Sequence, residues 1–143
     1  MRLALLDVNV LIALLDGAHV HHQAAMSWLG GRLEGGWASC PLTQNGCIRI
    51  MSHPSYPNPR SPAQVAQRLR EATQTPLHHF WPDDVSLLDE QRFDWEKLLH
   101  SRQLTDAYLM ALVVEHDGVF VTFDHGIPVG GVMRARPDQL VKI

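Results

Sequence analysis

Several residue types and patterns are scarce in this sequence, and each scarcity excludes something. Cys40 and Cys47 are the only cysteines, and the six residues between them match no common zinc spacing. Reduced, buried thiols are the expected state. Long apolar runs are absent: nothing approaches the roughly 18 residues that a membrane crossing needs. The N-terminal run Leu3-Ala4-Leu5-Leu6 meets Asp7 too soon for a secretory core, and no small-residue cleavage site follows, so cytoplasmic residence is expected. Positive charge is also limited, with 12 Lys and Arg against 15 Asp and Glu for a formal net charge of -3. Such a chain does not coat nucleic acid indiscriminately, and any contact of that kind has to be local. Finally, no Gly-x-x-x-x-Gly-Lys loop exists to cradle a nucleotide, and no Ser-His or Cys-His pairing offers a covalent nucleophile.

What remains is ordinary for a globular α/β protein: 143 residues, 45% hydrophobic and 19% charged, expected to form a single domain over residues 1–143. Leu3 to Leu6 reads as a buried strand, and Val10 to Leu15 as a helix broken by Asp16-Gly17. A second helix is expected from His22 to Leu29, then a short strand over Trp37 to Cys40 and a helix carrying Ile48, Ile50 and Met51. Four prolines between Ser52 and Pro62 demand a loop. Ser61-Pro62 is a good helix opening, with Ser61 as N-cap. His78 to Trp81 reads as a third strand, and Asp84–Glu90 and Phe93–His100 as two short helices. Thr105 would cap a helix running to about His116, with Leu109, Leu112 and Val113 as its buried stripe. Val119 to Thr122 and Leu140 to Ile143 complete the strands. Strands alternating with helices predict a mostly parallel central sheet flanked by helices on both faces.

Two strands end in the same way, with an apolar run followed by aspartate: Leu6-Asp7 and Thr122-Phe123-Asp124. Ligands bind at that edge of open α/β sheets. Asp106, in the first turn of the helix before the Val119 strand, reaches the same edge if Leu104-Thr105 crosses over it. Each carboxylate also has a structural explanation. Asp7 could cap the following helix, Asp106 could answer its helix dipole, and Asp124 could make an Asx-turn before His125-Gly126. Together, three convergent carboxylates repel one another unless a cation sits among them, and oxygen-only donors suit Mg2+ or Mn2+. Such an ion activates water and stabilises phosphoryl charge, so phosphodiester hydrolysis is the best chemical match.

Other groups have competing readings. His19, His21 and His22 lack the spacing of a zinc-protease helix and read as solvated residues at a helix entry. His78 and His79 point to opposite faces of a strand. Phe80, Trp81, Phe93 and Trp95 suit either RNA stacking or a core or subunit interface. Arg49 suits either a phosphate contact or a solvated surface charge.

Four segments in order carry a family resemblance: Leu5-Leu6-Asp7-Val8-Asn9-Val10-Leu11-Ile12, Pro41-Leu42-Thr43-Gln44-Asn45-Gly46, Leu104-Thr105-Asp106-Ala107-Tyr108-Leu109 and Val121-Thr122-Phe123-Asp124. They resemble the successive motifs of PIN-domain proteins, and among these the VapC toxins of bacterial toxin–antitoxin pairs. The resemblance implies a PIN-like three-layer sandwich. It also implies a Mg2+-dependent endoribonuclease acting on RNA, dimeric and inhibited by a cognate antitoxin protein. Carried over by motif, Asp7 and Asp106 would be metal ligands, and Asp124 would complete the cluster directly or through water. Asn9 and Thr122 would be supporting polar groups.

One departure stands out. Many such proteins carry a Glu in the second motif, where Thr43-Gln44-Asn45-Gly46 has no carboxylate. Asn45 is placed at the vacated position, with Gln44 and Gly46 as alternative alignments. An amide binds metal or orients water but does not act as a general base. This leaves open a binding module that keeps the fold without catalysis. A haloacid-dehalogenase-like phosphatase fits less well, because Asn9 occupies the place of its second Asp.

Overall fold

The structure is a computed structural model that describes residues 1–32 and 34–143. Its chain order is β1 (Ala4–Leu6), α1 (Val8–Leu15), α2 (His22–Gly30), β2 (Trp37–Ser39), α3 (Pro41–Met51), α4 (Pro62–Thr73), β3 (His78–Phe80), α5 (Leu104–Glu115), β4 (Val119–Thr122) and β5 (Leu140–Lys142). The strands form one sheet in the order β3-β2-β1-β4-β5, and every pairing is parallel. Parallel strands need crossovers; the helices supply them and cover both faces, except between β4 and β5, which are joined by a segment holding only 3-10 turns.

Side-chain alternation along the strands separates two apolar layers. Ala4 and Leu6 of β1, with Val119 and Val121 of β4, face a core built with α1, α3 and α4. Leu5 and Phe120 face the opposite way, against α5. The result is a three-layer α/β sandwich, as the sequence predicts. The central strands β1 and β4 are buried along their whole length, which explains why they read as continuous apolar runs.

The helix boundaries follow local chemistry. Ser61 caps α4 by accepting from the Gln64 N–H, and the Gln64 side chain reaches back to the Ser61 N–H, a capping box with Pro62 at the first helical position. The segment 52–61 before it is irregular, as its prolines require. Cys40 and Cys47 are free and buried, and burial pushes the Cys47 thiol up to about 12.

Four expectations need correction. Asp84–Glu90 is not a helix but an extended stretch ending in turns, and Phe93–His100 holds only a single 3-10 turn, Trp95–Lys97. These residues wrap the outer side of α5, with Val85, Phe93 and Leu98 buried against it as isolated anchors. Thr105 is not an N-cap: a 3-10 turn over Ser101–Gln103 runs directly into α5, which puts Thr105 inside the first turn. Helix α5 also lacks a narrow stripe, since seven consecutive residues from Ala107 to Val113 are buried. A helix enclosed between a sheet and a wrapped segment is apolar all round.

Candidate functional site

The parallel register builds the site. Leu6 of β1 is level with Val121 of β4, which leaves Asp7 and Thr122 side by side at the C-terminal edge of the sheet. Asp7 is at once the last link of the strand and the first of the helix. Its N–H donates to the Val121 carbonyl at 2.9 Å, and its carbonyl accepts from Leu11 at 2.9 Å. The carboxylate caps α1, accepting from the Val8 N–H at 2.7 Å through Oδ1. The helix therefore starts at Val8, two residues earlier than the apolar run alone predicts.

The second Asp7 oxygen, Oδ2, accepts from the Thr122 hydroxyl at 2.6 Å, in a buried contact. Thr122 Oγ1 in turn accepts from the Asp124 N–H at 3.0 Å, and Asp124 Oδ1 accepts from the Gly126 N–H at 2.9 Å. The structural roles weighed for Asp7 and Asp124, a cap and an Asx-turn, are thus both present. They fix the carboxylates in place without turning them away from the edge. Asp106 arrives from the first turn of α5.

Asp7, Asp106 and Asp124 line one open hollow of about 380 Å3, together with Asn9, His19, Ile50 and Tyr56 among others. Their charges interact across it. The Asp106 carboxyl is pushed up to about 6, first by burial and then by repulsion from Asp7 and Asp124. Burial also raises Asp7 above the usual carboxylate range; the Thr122 and Val8 hydrogen bonds oppose that shift, and Asp124 adds to it. Among the described residues, no three His, Cys, Asp or Glu side chains are gathered tightly enough to cage an ion outright. The aspartates surround the hollow rather than meet at a point.

One further observation bears on what the hollow accommodates. Asn9 Oδ1 is buried and accepts no hydrogen bond. A buried carbonyl oxygen without a donor is costly. Asn9 shares the hollow's lining with the three aspartates, and their oxygen donors fit a hard divalent cation that keeps several waters.

The second motif behaves differently. Asn45 is exposed on α3 and is not part of the hollow's lining. The Gln44 amide donates to Ser39 Oγ at 3.0 Å, and Gly46 is buried against Val8. What α3 and its following loop bring to the hollow is Ile50 and Tyr56.

The histidines divide. His19 lines the hollow, His21 stacks on Phe123 with ring centroids 4.8 Å apart, and His22 Nδ1 lies 2.7 Å from the Ala13 carbonyl. On the edge strand, His78 packs on Trp37 and hydrogen-bonds Ser39. Trp81 and Phe93 are core residues, whereas Phe80 and Trp95 are exposed. The sequence reading of His19 as a solvated residue at a helix entry misses its place in the hollow, and Tyr56 has no sequence reading at all. His19 follows a helix-breaking turn and Tyr56 lies in a proline-rich loop, so neither belongs to a periodic segment that predicts its neighbours.

Comparison with known proteins agrees with this architecture. The PIN domain family profile matches residues 4–129. Ribonuclease VapC44 of Mycobacterium tuberculosis is 50% identical over 140 residues, covering 98% of this chain and 99% of the relative. Ribonuclease VapC39 of the same species is 43% identical over 122 residues, covering 85% and 88%. The crystal structure of M. tuberculosis VapC20, described as a sarcin-ricin-loop-cleaving toxin, superposes with a TM-score of 0.63 over 94% of this chain and 99% of that one. At 14% identity that likeness concerns the fold alone. On the family profile and the full-length identity together, this chain belongs to the PIN-domain family and, within it, to the VapC type.

Proposed function

We propose that the protein is a metal-dependent endoribonuclease, the toxin of a type II toxin–antitoxin pair, which hydrolyses RNA phosphodiesters at the aspartate hollow. One observation carries this reading: three carboxylates from three separate elements line one hollow, where burial first and then repulsion from Asp7 and Asp124 push Asp106 up to about 6. Structural caps alone do not call for that convergence. The names of both curated relatives, each a ribonuclease, support the same activity.

Asp7, Asp106 and Asp124 would hold Mg2+, or Mn2+, with Asp124 acting directly or through water and Asn9 Oδ1 adding a neutral oxygen. When bound, the ion supplies Lewis-acid neutralisation of phosphoryl charge and a more acidic water. The chain's own part is orientation. Thr122 and the Val8 N–H fix both Asp7 oxygens, so that carboxylate is presented in one pose. Asp106 gives up its proton near pH 6, so at neutral pH it is in the ionised form that a cation needs. An open hollow at a sheet edge admits single-stranded RNA, the form in which sequence-specific recognition mostly operates.

Asn45, exposed and outside the lining, remains in the proposed set only as the amide in place of a fourth carboxylate; cleavage by Asn45→Ala measures that role. The partners proposed are the cognate antitoxin and a second copy of the chain, in the cytoplasm. Among the described residues, no helix is long and apolar enough to cross a membrane.

A second reading rests on α3, which brings no carboxylate to the hollow: a PIN-fold module that binds antitoxin or RNA without cutting. Incubating purified protein with varied RNAs and Mg2+ or Mn2+ decides between the two. Cleavage abolished by EDTA and by Asp7→Asn supports the nuclease. Intact antitoxin binding with no cleavage of any RNA supports the module.

A further inference from the structure

A second hollow adjoins the aspartates, and none of the roles above uses it. Arg49, Ile50, His53, Ser55, Tyr56 and Pro57 line it. Ile50 and Tyr56 also line the aspartate hollow, so the two lie side by side at those side chains. One is acidic and the other carries cationic and N–H donor groups.

The donors of the second hollow are set in place by its own turn. His53 Nδ1 accepts from the Ser55 N–H at 3.1 Å, with the Ser55 hydroxyl 2.7 Å away. With Nδ1 used as an acceptor, the proton of the neutral ring sits on Nε2, which leaves an N–H donor. Tyr56 is fixed at both ends. Its N–H donates to the His53 carbonyl at 2.9 Å, and its hydroxyl donates to Asp16 at the C-terminal end of α1. Arg49 is exposed and forms no ion pair among the described residues. Its guanidinium is therefore free to meet an anion from solvent, with a planar donor geometry suited to phosphate.

We propose that this second hollow holds the RNA phosphate next to the scissile one, with Arg49 and His53 Nε2 as donors and the Tyr56 ring as the wall against which the intervening nucleotide lies. The inference rests on the ribonuclease reading and names how that site receives its substrate. A polyanion has to approach three carboxylates on a chain of net charge -3, so an exposed cation beside them adds local attraction to what a bound ion would supply. Arg49 is on the helix that also brings Ile50 to the aspartates, and the half-buried Tyr56 offers a ring on which any base can stack. Arg49, His53 and Tyr56 are positioning residues for the neighbouring nucleotide and take no part in the bond broken.

The test uses a fluorescein-labelled single-stranded RNA that the wild-type protein cleaves. Binding is measured in the Asp106→Asn background across a series of salt concentrations. Arg49→Gln is expected to weaken binding about ten-fold and to reduce the slope of log K against log salt by about 0.7, the share of one single-strand phosphate contact. Arg49→Lys restores the slope. In the active protein, Arg49→Gln raises KM and leaves kcat within about two-fold, as expected for uniform binding lost from substrate and transition state alike. An unchanged salt slope in Arg49→Gln, beside wild-type protein that cleaves normally, overturns this inference alone. Wild-type protein that cleaves no RNA overturns the ribonuclease reading beneath it.

Discussion

The Thr122 hydroxyl donates to Asp7 Oδ2 at 2.6 Å across 115 residues of sequence, and Thr122 Oγ1 accepts from the Asp124 N–H at 3.0 Å. One buried hydroxyl thus ties together the two strand ends that carry carboxylates. It compensates part of the cost of burying Asp7 and fixes the spacing of Asp7 and Asp124 at once.

Thr122→Val keeps the shape and removes both bonds. It is expected to lose about 1–3 kcal/mol of stability, since a buried carboxylate oxygen is left without its donor. Cleavage should fall by about ten-fold or more as Asp7 gains freedom, whereas Thr122→Ser should retain most of both properties. Urea unfolding and initial cleavage rates on the two variants check this pair of outcomes.

Asp106 carries a pH signature. Its folded-state carboxyl is raised from 3.8 to about 6, so the folded protein holds this proton more tightly than the unfolded chain does. Its contribution to folding is therefore fully present below about pH 4 and is lost as pH rises through about 6. Asp106→Asn removes the dependence. In ion-free buffer at pH 7 the variant should be more stable than wild type by about 1 kcal/mol, a full two-unit shift being discounted for solvent screening. The advantage should vanish near pH 4. Thermal melts of the two proteins from pH 4 to 7.5, compared as a difference, provide the readout.

Gly46 sets how closely α3 approaches the start of α1. A Cβ there would lie 2.9 Å from Val8 Cγ2 and 3.3 Å from Cγ1. Because Val8 follows the capping Asp7, any shift of its side chain is passed to the first turn that positions Asp7 and Asn9. Gly46→Ala should cost about 1–3 kcal/mol by overpacking and reduce cleavage as well. Adding Val8→Ala should recover much of the stability, a coupling that a double-mutant cycle by urea unfolding measures.

The sheet and its acidic edge were legible because their cause is local and repetitive. Buried parallel strands demand continuous apolar runs, and Asp7 and Asp124 end two of them visibly. The Ser61-Pro62 opening of α4 follows from chemistry within four residues. The segment from Asp84 to His100 was not legible. It has enough apolar residues to suggest helices, but Val85, Phe93 and Leu98 reach the core singly while the backbone wraps α5. The same distinction holds at the site. Asp106 could be placed from its helix turn, whereas His19 and Tyr56 come from turns whose direction only the tertiary packing sets. Thr122 was expected as a support, but not its simultaneous contact with Asp7 and Asp124, which depends on the exact level of β1 against β4.

The central claim is that the three aspartates work as one cation-dependent site that cuts RNA. Its most direct measurement is the cleavage rate of a single-stranded RNA by purified wild type, Asp7→Asn and Asp106→Asn, each with Mg2+ and with EDTA. Wild type with Mg2+ should cleave. EDTA or either substitution should lower the rate by about 100-fold or more, as expected when charge stabilisation in the transition state is lost. Cleavage that persists in EDTA, or that survives both substitutions, would contradict the account.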